Sequence, residues 1–165
     1  MIDVSAGSGV ALPTGLAGDF YDSDVLFQGA VTVADDRRAI RGRLKLQYFK
    51  LDRAGFIIGP SSTSGFFKVT GGTADLVYAP PLKGPFRPYG FFGFGFYFVT
   101  VRWDDEVTRT HEQESDTHGA YDLGVGAEML WGRMGLYGEA SYLEFTSAGS
   151  WSQWNIGIGA TVRVY

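Results

Sequence analysis

The chain has two histidines, His111 and His118, and they bracket Glu112, Glu114, Ser115 and Asp116. Carboxylate and imidazole together suit zinc, nickel or calcium, so the stretch is a candidate cation site. A serine between two histidines also raises nucleophilic catalysis, which needs a base within reach of the hydroxyl. The plainer reading is a solvated acidic connection, because runs of like charge usually are that. Asp104, Asp105 and Glu106 extend the acidic run, which covers 103–118. The plainer reading is adopted: no catalytic residue, metal ligand or cofactor is assigned, and the chain is not read as an enzyme.

A second set of charges follows a different rule. Arg41, Arg43 and Lys45 alternate with Ile40, Leu44 and Leu46, which is the two-residue period of a half-buried strand. Asp75, Asp122, Glu128, Glu139 and Arg163 likewise sit opposite apolar stripes on their own segments. These are four cations and four carboxylates on the polar phase. Buried charges must be paired, so a shared interior would hold them as a salt-bridged plug rather than an open pore. Deleting one of them, for example by Glu139→Ala, should then cost several kcal/mol.

The elements that must carry these residues are strands. The stretch from Tyr89 to Phe98 puts Phe92, Phe94, Phe96 and Phe98 on one face, and Gly93, Gly95 and Tyr97 on the other. A helical period does not sort them. Four phenylalanines on one face need an apolar cover, and a strand with one face toward lipid supplies it. Leu44 and Leu46, Leu123 and Val125, and Ile156 and Ile158 continue the lipid-facing set on other segments.

Eight such segments follow, at about 2–12, 25–34, 39–51, 66–78, 89–102, 119–130, 134–144 and from 151 to the C-terminus. No helix competes with them. The connections after the second, fourth and sixth are the shorter ones, with Trp131-Gly132-Arg133 a tight turn. Those after the first, third, fifth and seventh, at about 13–24, 52–64, 103–118 and 145–152, are longer and more polar. Alternating connection length is the pattern of an antiparallel up-and-down transmembrane barrel with short periplasmic turns and long external loops.

Composition agrees. The 165 residues make one domain, with 24 glycines, 16% aromatic and 19% charged residues, and a mean hydropathy of -0.02. No run approaches the ~18 apolar residues of a spanning helix, which excludes a helical membrane protein but not a barrel. A net charge of -4 gives no basic surface for nucleic acid. The absence of cysteine rules out disulfides and thiolate zinc sites. The strand pattern starts directly after Met1 without a signal peptide, so an exported protein would be in its mature form here.

Four G-x-G pairs, Gly7/Gly9, Gly93/Gly95, Gly124/Gly126 and Gly157/Gly159, all fall on the face opposite the apolar stripe. None opens a helix, so a phosphate loop is a weak reading. In a narrow eight-stranded barrel, glycine on some strands leaves room for arginine and tyrosine from others. Aromatic residues near strand ends (Tyr48, Tyr78, Tyr89, Trp103, Trp131, Tyr142, Trp151 and Trp154) would form the interfacial girdles.

With these pieces the chain resembles the small eight-stranded outer-membrane β-barrels, the group that includes the OmpA transmembrane domain and OmpX. The resemblance rests on Gly7-Ser-Gly9 with Pro13-x-Gly15, on Pro88-Tyr89 with Gly93-Phe-Gly95, and on Gly124-Val-Gly126-Ala-Glu128. A final aliphatic G-x-G strand then ends on Tyr165. One departure stands out: Tyr165 is in phase with Arg163 and Thr161, not with the apolar set. The resemblance implies a bacterial outer-membrane location, a lipid bilayer and the barrel-assembly machinery as partners, and a monomer. It implies a structural or surface-interaction role, with external loops contacting extracellular ligands. Some members are lipid-modifying enzymes using His/Ser/carboxylate sets, for which only the 103–118 stretch offers residues. The alternatives are a narrow porin-like pore or small-molecule passage, and a soluble lipocalin-like barrel.

Overall fold

Period-2 alternation builds eight strands, and their order in the sheet is their order in the chain. The computed structural model describes residues 1–14, 22–35, 39–52, 63–82, 84–105, 110–146 and 151–164, with backbone only for 52, 63–67, 101–105 and 110–114. The strands are β1 (Ile2–Thr14), β2 (Asp24–Ala34), β3 (Ile40–Asp52), β4 (Thr63–Tyr78), β5 (Phe86–Asp105), β6 (Thr110–Trp131), β7 (Met134–Phe145) and β8 (Ser152–Arg163). Each pairs antiparallel with its neighbour, and β1 pairs with β8 from Asp3↔Arg163 to Thr14↔Ser152, which closes the barrel. The expected all-β, eight-stranded up-and-down barrel is borne out.

One end, the turn end, carries the short connections and both Ile2 and Arg163. There Gly132, at φ 64°, takes the first central position of the two-residue β6–β7 hairpin. That backbone region costs a side-chain-bearing residue strain, and such turns match the twist of the flanking strands. The opposite end, the loop end, carries the longer connections. The terminal departure at Tyr165 lies outside the described residues.

The reading of 103–118 as a loop is corrected. β5 continues to Asp105 and β6 begins at Thr110, with Trp103↔Glu112 and Asp104↔His111 in register. Backbone pairing needs no apolar face, so a solvated strand can be acidic throughout, and composition alone hides it. β7 accompanies β6 only as far as Ala120↔Phe145, followed by one Thr146 N–H to Gly119 carbonyl bond of 2.9 Å. Beyond that point, among the described residues, β6 has β5 alone beside it.

Candidate functional site

The alternation that builds the strands also sorts the side chains. The predicted lipid-facing residues all point outward, from 43% exposed at Phe92 to 70% at Leu46 and Ile158. The inward face holds the charges, in layers set by the strand register. At the turn end Arg163 Nε lies 3.1 Å from Asp3 Oδ1, tying the first strand to the last. Above them a polar cavity of about 50 Å³ is lined by Arg41, Glu128, Tyr89 and Tyr137 among others. That is room for a few water molecules at most. Among the described residues, Arg41 and Glu128 make no ion pair with each other or with a third group.

The middle layer is a five-charge cluster. Arg43 reaches Asp75 with Nε at 2.7 Å and Glu139 with Nη1 at 2.5 Å. Lys45 Nζ lies 2.5 Å from Asp122 and 3.1 Å from Glu139. Tyr89 donates to Glu139 at 3.1 Å. The Phe91 ring lies beneath both cations, 4.1 Å from the Arg43 guanidinium carbon and 4.3 Å from Lys45 Nζ. Two cations thus serve three carboxylates, with Glu139 shared between them.

Glycine makes this packing possible at one place in particular. A Cβ on Gly124 would strike the Phe91 ring, and one on Gly126 would strike the Tyr89 ring. The Gly124/Gly126 pair therefore clears space for the two aromatics that hold Arg43 and Glu139.

Above the cluster a neutral polar ring follows, in which Tyr97 donates to Gln47 at 2.6 Å and Gln153 donates to Asn155 at 2.8 Å. The bore then turns apolar. Leu26, Phe49, Leu51, Val69, Leu143 and Phe145 are buried within it at the loop end. Trp151 joins them, stacked on Phe145 at 4.9 Å. Sequence reasoning missed this layer. The signal was present: in Tyr48-Phe49, Phe98-Val99 and Tyr142-Leu143 both phases are apolar, so the inward one must be too. Reasoning also left Asp3 and Tyr89 out of the charge network.

Two girdle assignments are corrected. Tyr89 points inward to Glu139, and Trp151 packs against the apolar layer rather than on the outer wall. Tyr78, Trp131 and Trp154 do face outward, as does Tyr48. The Trp103 side chain lies outside the described residues.

The histidines do not converge. They stand seven positions apart on extended β6, roughly 23 Å of strand. His118 lies 3.6 Å from Asp116 and edge-on to Phe145. The side chains of His111, Glu112 and Glu114 lie outside the described residues.

Sequence comparison alone matches no family model and no curated protein. Solved structures do match. A major outer membrane protein from Thermus thermophilus aligns with a TM-score of 0.65 at 15% identity, covering 98% of this chain and 98% of that one. Neisserial surface protein A aligns at 0.63 and 13% identity, covering 98% and 96%. The fold is that of the small eight-stranded outer-membrane barrels. Ail, the attachment invasion locus protein of Yersinia pestis, shares this outer-membrane barrel fold at a TM-score of 0.56 and 16% identity, covering 97% of each chain. At such identities the strand count, closure and alternation are common, and side-chain chemistry is this chain's own.

Proposed function

We propose that the protein is an integral bacterial outer-membrane barrel with a closed bore, working through its loop end as a structural or surface-interaction element. The carrying observation is the inversion of polarity: Leu44, Leu46, Phe94, Phe96 and Ile158 are exposed, while Arg43, Lys45, Asp122 and Glu139 are buried. Covering each large apolar side chain is worth roughly 1.5–3 kcal/mol, so water is the wrong solvent for this wall and lipid the right one. A soluble ligand-binding barrel would carry the opposite arrangement.

The bore supports closure rather than conduction. The charge cluster spans its middle, and the described side chains of the layer above are apolar and offer ions little to replace their hydration. No chemistry is assigned to the histidines, which stand far apart on β6. The binding surface is the β5–β6 hairpin, which rises roughly 30 Å past the end of β7. Among the described residues, the edge of β6 there offers unpaired backbone groups flanked in sequence by Glu112, Glu114 and Asp116, which suits an extended, basic segment of a partner. Ail has been solved with the heparin analogue sucrose octasulfate. The acidic hairpin here favours a partner of the opposite charge.

The test is semi-native gel mobility of detergent-refolded protein, boiled against unboiled, followed by planar-bilayer recording. A faster unboiled band with no stepwise conductance supports a closed membrane barrel. A folded, monodisperse protein in plain buffer refutes membrane residence, and stable single-channel steps refute the closed bore.

A further inference from the structure

The five-charge cluster does not balance. Arg43 and Lys45 face Asp75, Asp122 and Glu139, which is one negative charge too many, and all five side chains are buried. An interior charge must be paired or removed, and a carboxylate removes its own by taking a proton. Glu139 has the least room for one. Its two oxygens already take Arg43, Lys45 and the Tyr89 hydroxyl. The aspartates are each engaged on one side. Arg43 meets Asp75 at Oδ2 and Lys45 meets Asp122 at Oδ2, while Oδ1 of each is buried without a hydrogen-bond partner.

The strand register sets the two aspartates on either side of one glycine. Asp75 is opposite Gly93, and Gly93 is opposite Asp122 on the next strand. A Cβ on Gly93 would strike Asp75 Oδ1, so this unpartnered oxygen leans over the glycine, on the side of Asp122. The titratable groups facing the pair are Arg43 and Lys45 of β3, Tyr89 and Tyr97 of β5, and Glu139 of β7. The turn-end cavity touches Arg43, Lys45 and Glu139 and neither aspartate. A metal cation needs several oxygen ligands and the space to gather them, whereas a proton needs one oxygen.

We propose that the cluster binds one proton at neutral pH, and that Asp75 and Asp122 hold it as a pair. Neighbouring carboxylates that cannot both ionise share a proton, which then belongs to the pair and not to either residue. Two cations thereby face two negative charges, and the middle of the bore is electrically neutral. The proposal rests on the closed bore above, which planar-bilayer recording tests separately.

The experiment is infrared spectroscopy of refolded protein in phosphatidylcholine vesicles at neutral pH, taken on samples that show the fast unboiled band. It reads the carbonyl stretch of a protonated carboxyl, which ionised carboxylates lack. Wild type should show one such group per barrel. D75N and D122N should each lose it. E139Q should lose it too, although Glu139 does not hold the proton, because two cations then face two aspartates. E128Q should keep it, since Glu128 lies outside the cluster. No band in wild type overturns the inference, and so does a band that survives in E139Q. Loss of the band in E128Q alone assigns the proton to Glu128 and overturns it as well. Stable single-channel steps in wild type refute the closed bore instead.

Discussion

The five-charge cluster predicts an asymmetry that charge counting does not. Replacing Lys45 with methionine keeps the contact with the Phe91 ring and removes the ammonium. Asp122, fully buried, then loses the cation 2.5 Å away, and Arg43 is left with Asp75 and Glu139. Deleting one partner of a buried pair costs about 3–5 kcal/mol, because the remaining charge stays in the interior. Glu139→Gln acts differently. Arg43 keeps Asp75 at 2.7 Å and Lys45 keeps Asp122, so two cations face two carboxylates. The amide oxygen still accepts a hydrogen bond, and the cost falls to about 1 kcal/mol. The expectation from sequence concerned Glu139→Ala, which removes the acceptor altogether, whereas Glu139→Gln keeps one. The assay is urea unfolding in phospholipid vesicles followed by tryptophan fluorescence. With a slope of about 2 kcal/mol per molar urea, the midpoint should fall by roughly 2 M for Lys45→Met and roughly 0.5 M for Glu139→Gln. Equal shifts, or a larger one for Glu139→Gln, would refute the assignment of Glu139 as the shared carboxylate.

Four further outcomes follow from the layers. Leu44→Arg, on the outward face, should destabilise the barrel in vesicles by about 2–4 kcal/mol, read from the same urea midpoints. Gly126→Ala drives a methyl into the Tyr89 ring and should cost about 1–3 kcal/mol. Gly138→Ala, where a Cβ meets nothing within 4 Å, should stay within about 0.5 kcal/mol of wild type. Phe49→Ala with Leu143→Ala removes much of the apolar layer; the pair should be less stable by several kcal/mol and should admit ion current in planar bilayers that wild type excludes.

Much of this was legible in the residues. Phe92 to Phe98 and Arg41 to Lys45 set the phase of their strands, and a period of two leaves only two faces to choose between. Which cation meets which carboxylate was not legible. Lys45 and Glu139 are separated by 94 residues, and they meet because closure staggers β3 against β7 across the bore. That stagger is a property of the closed sheet and not of either strand. The acidic extension of β5 and β6 was hidden for another reason. The stretch with Asp104, Asp105, Glu112 and Glu114 shows no alternation of apolar and polar residues, so the signal that revealed the other strands has nothing to sort. Tyr89 was misread because a tyrosine near a strand end looks the same whether it meets headgroups or a buried glutamate.

The seam between β1 and β8 bears on how the chain folds. Its ladder joins residues as far apart as Asp3 and Arg163, so the final contact of the fold is also the most distant in sequence. Loop-closure entropy rises only slowly with length, and the thermodynamic penalty for this distance is modest. The kinetic consequence is larger, since non-local pairing is slow. Until β8 docks, the sheet has two raw edges and its buried charges stand open on one side. Fluorescence from a probe on β8 should therefore report the slowest phase of refolding, with probes on β3 and β4 settling earlier. Because β8 is the last of the eight strands in the chain, its docking separates an open sheet from a finished barrel.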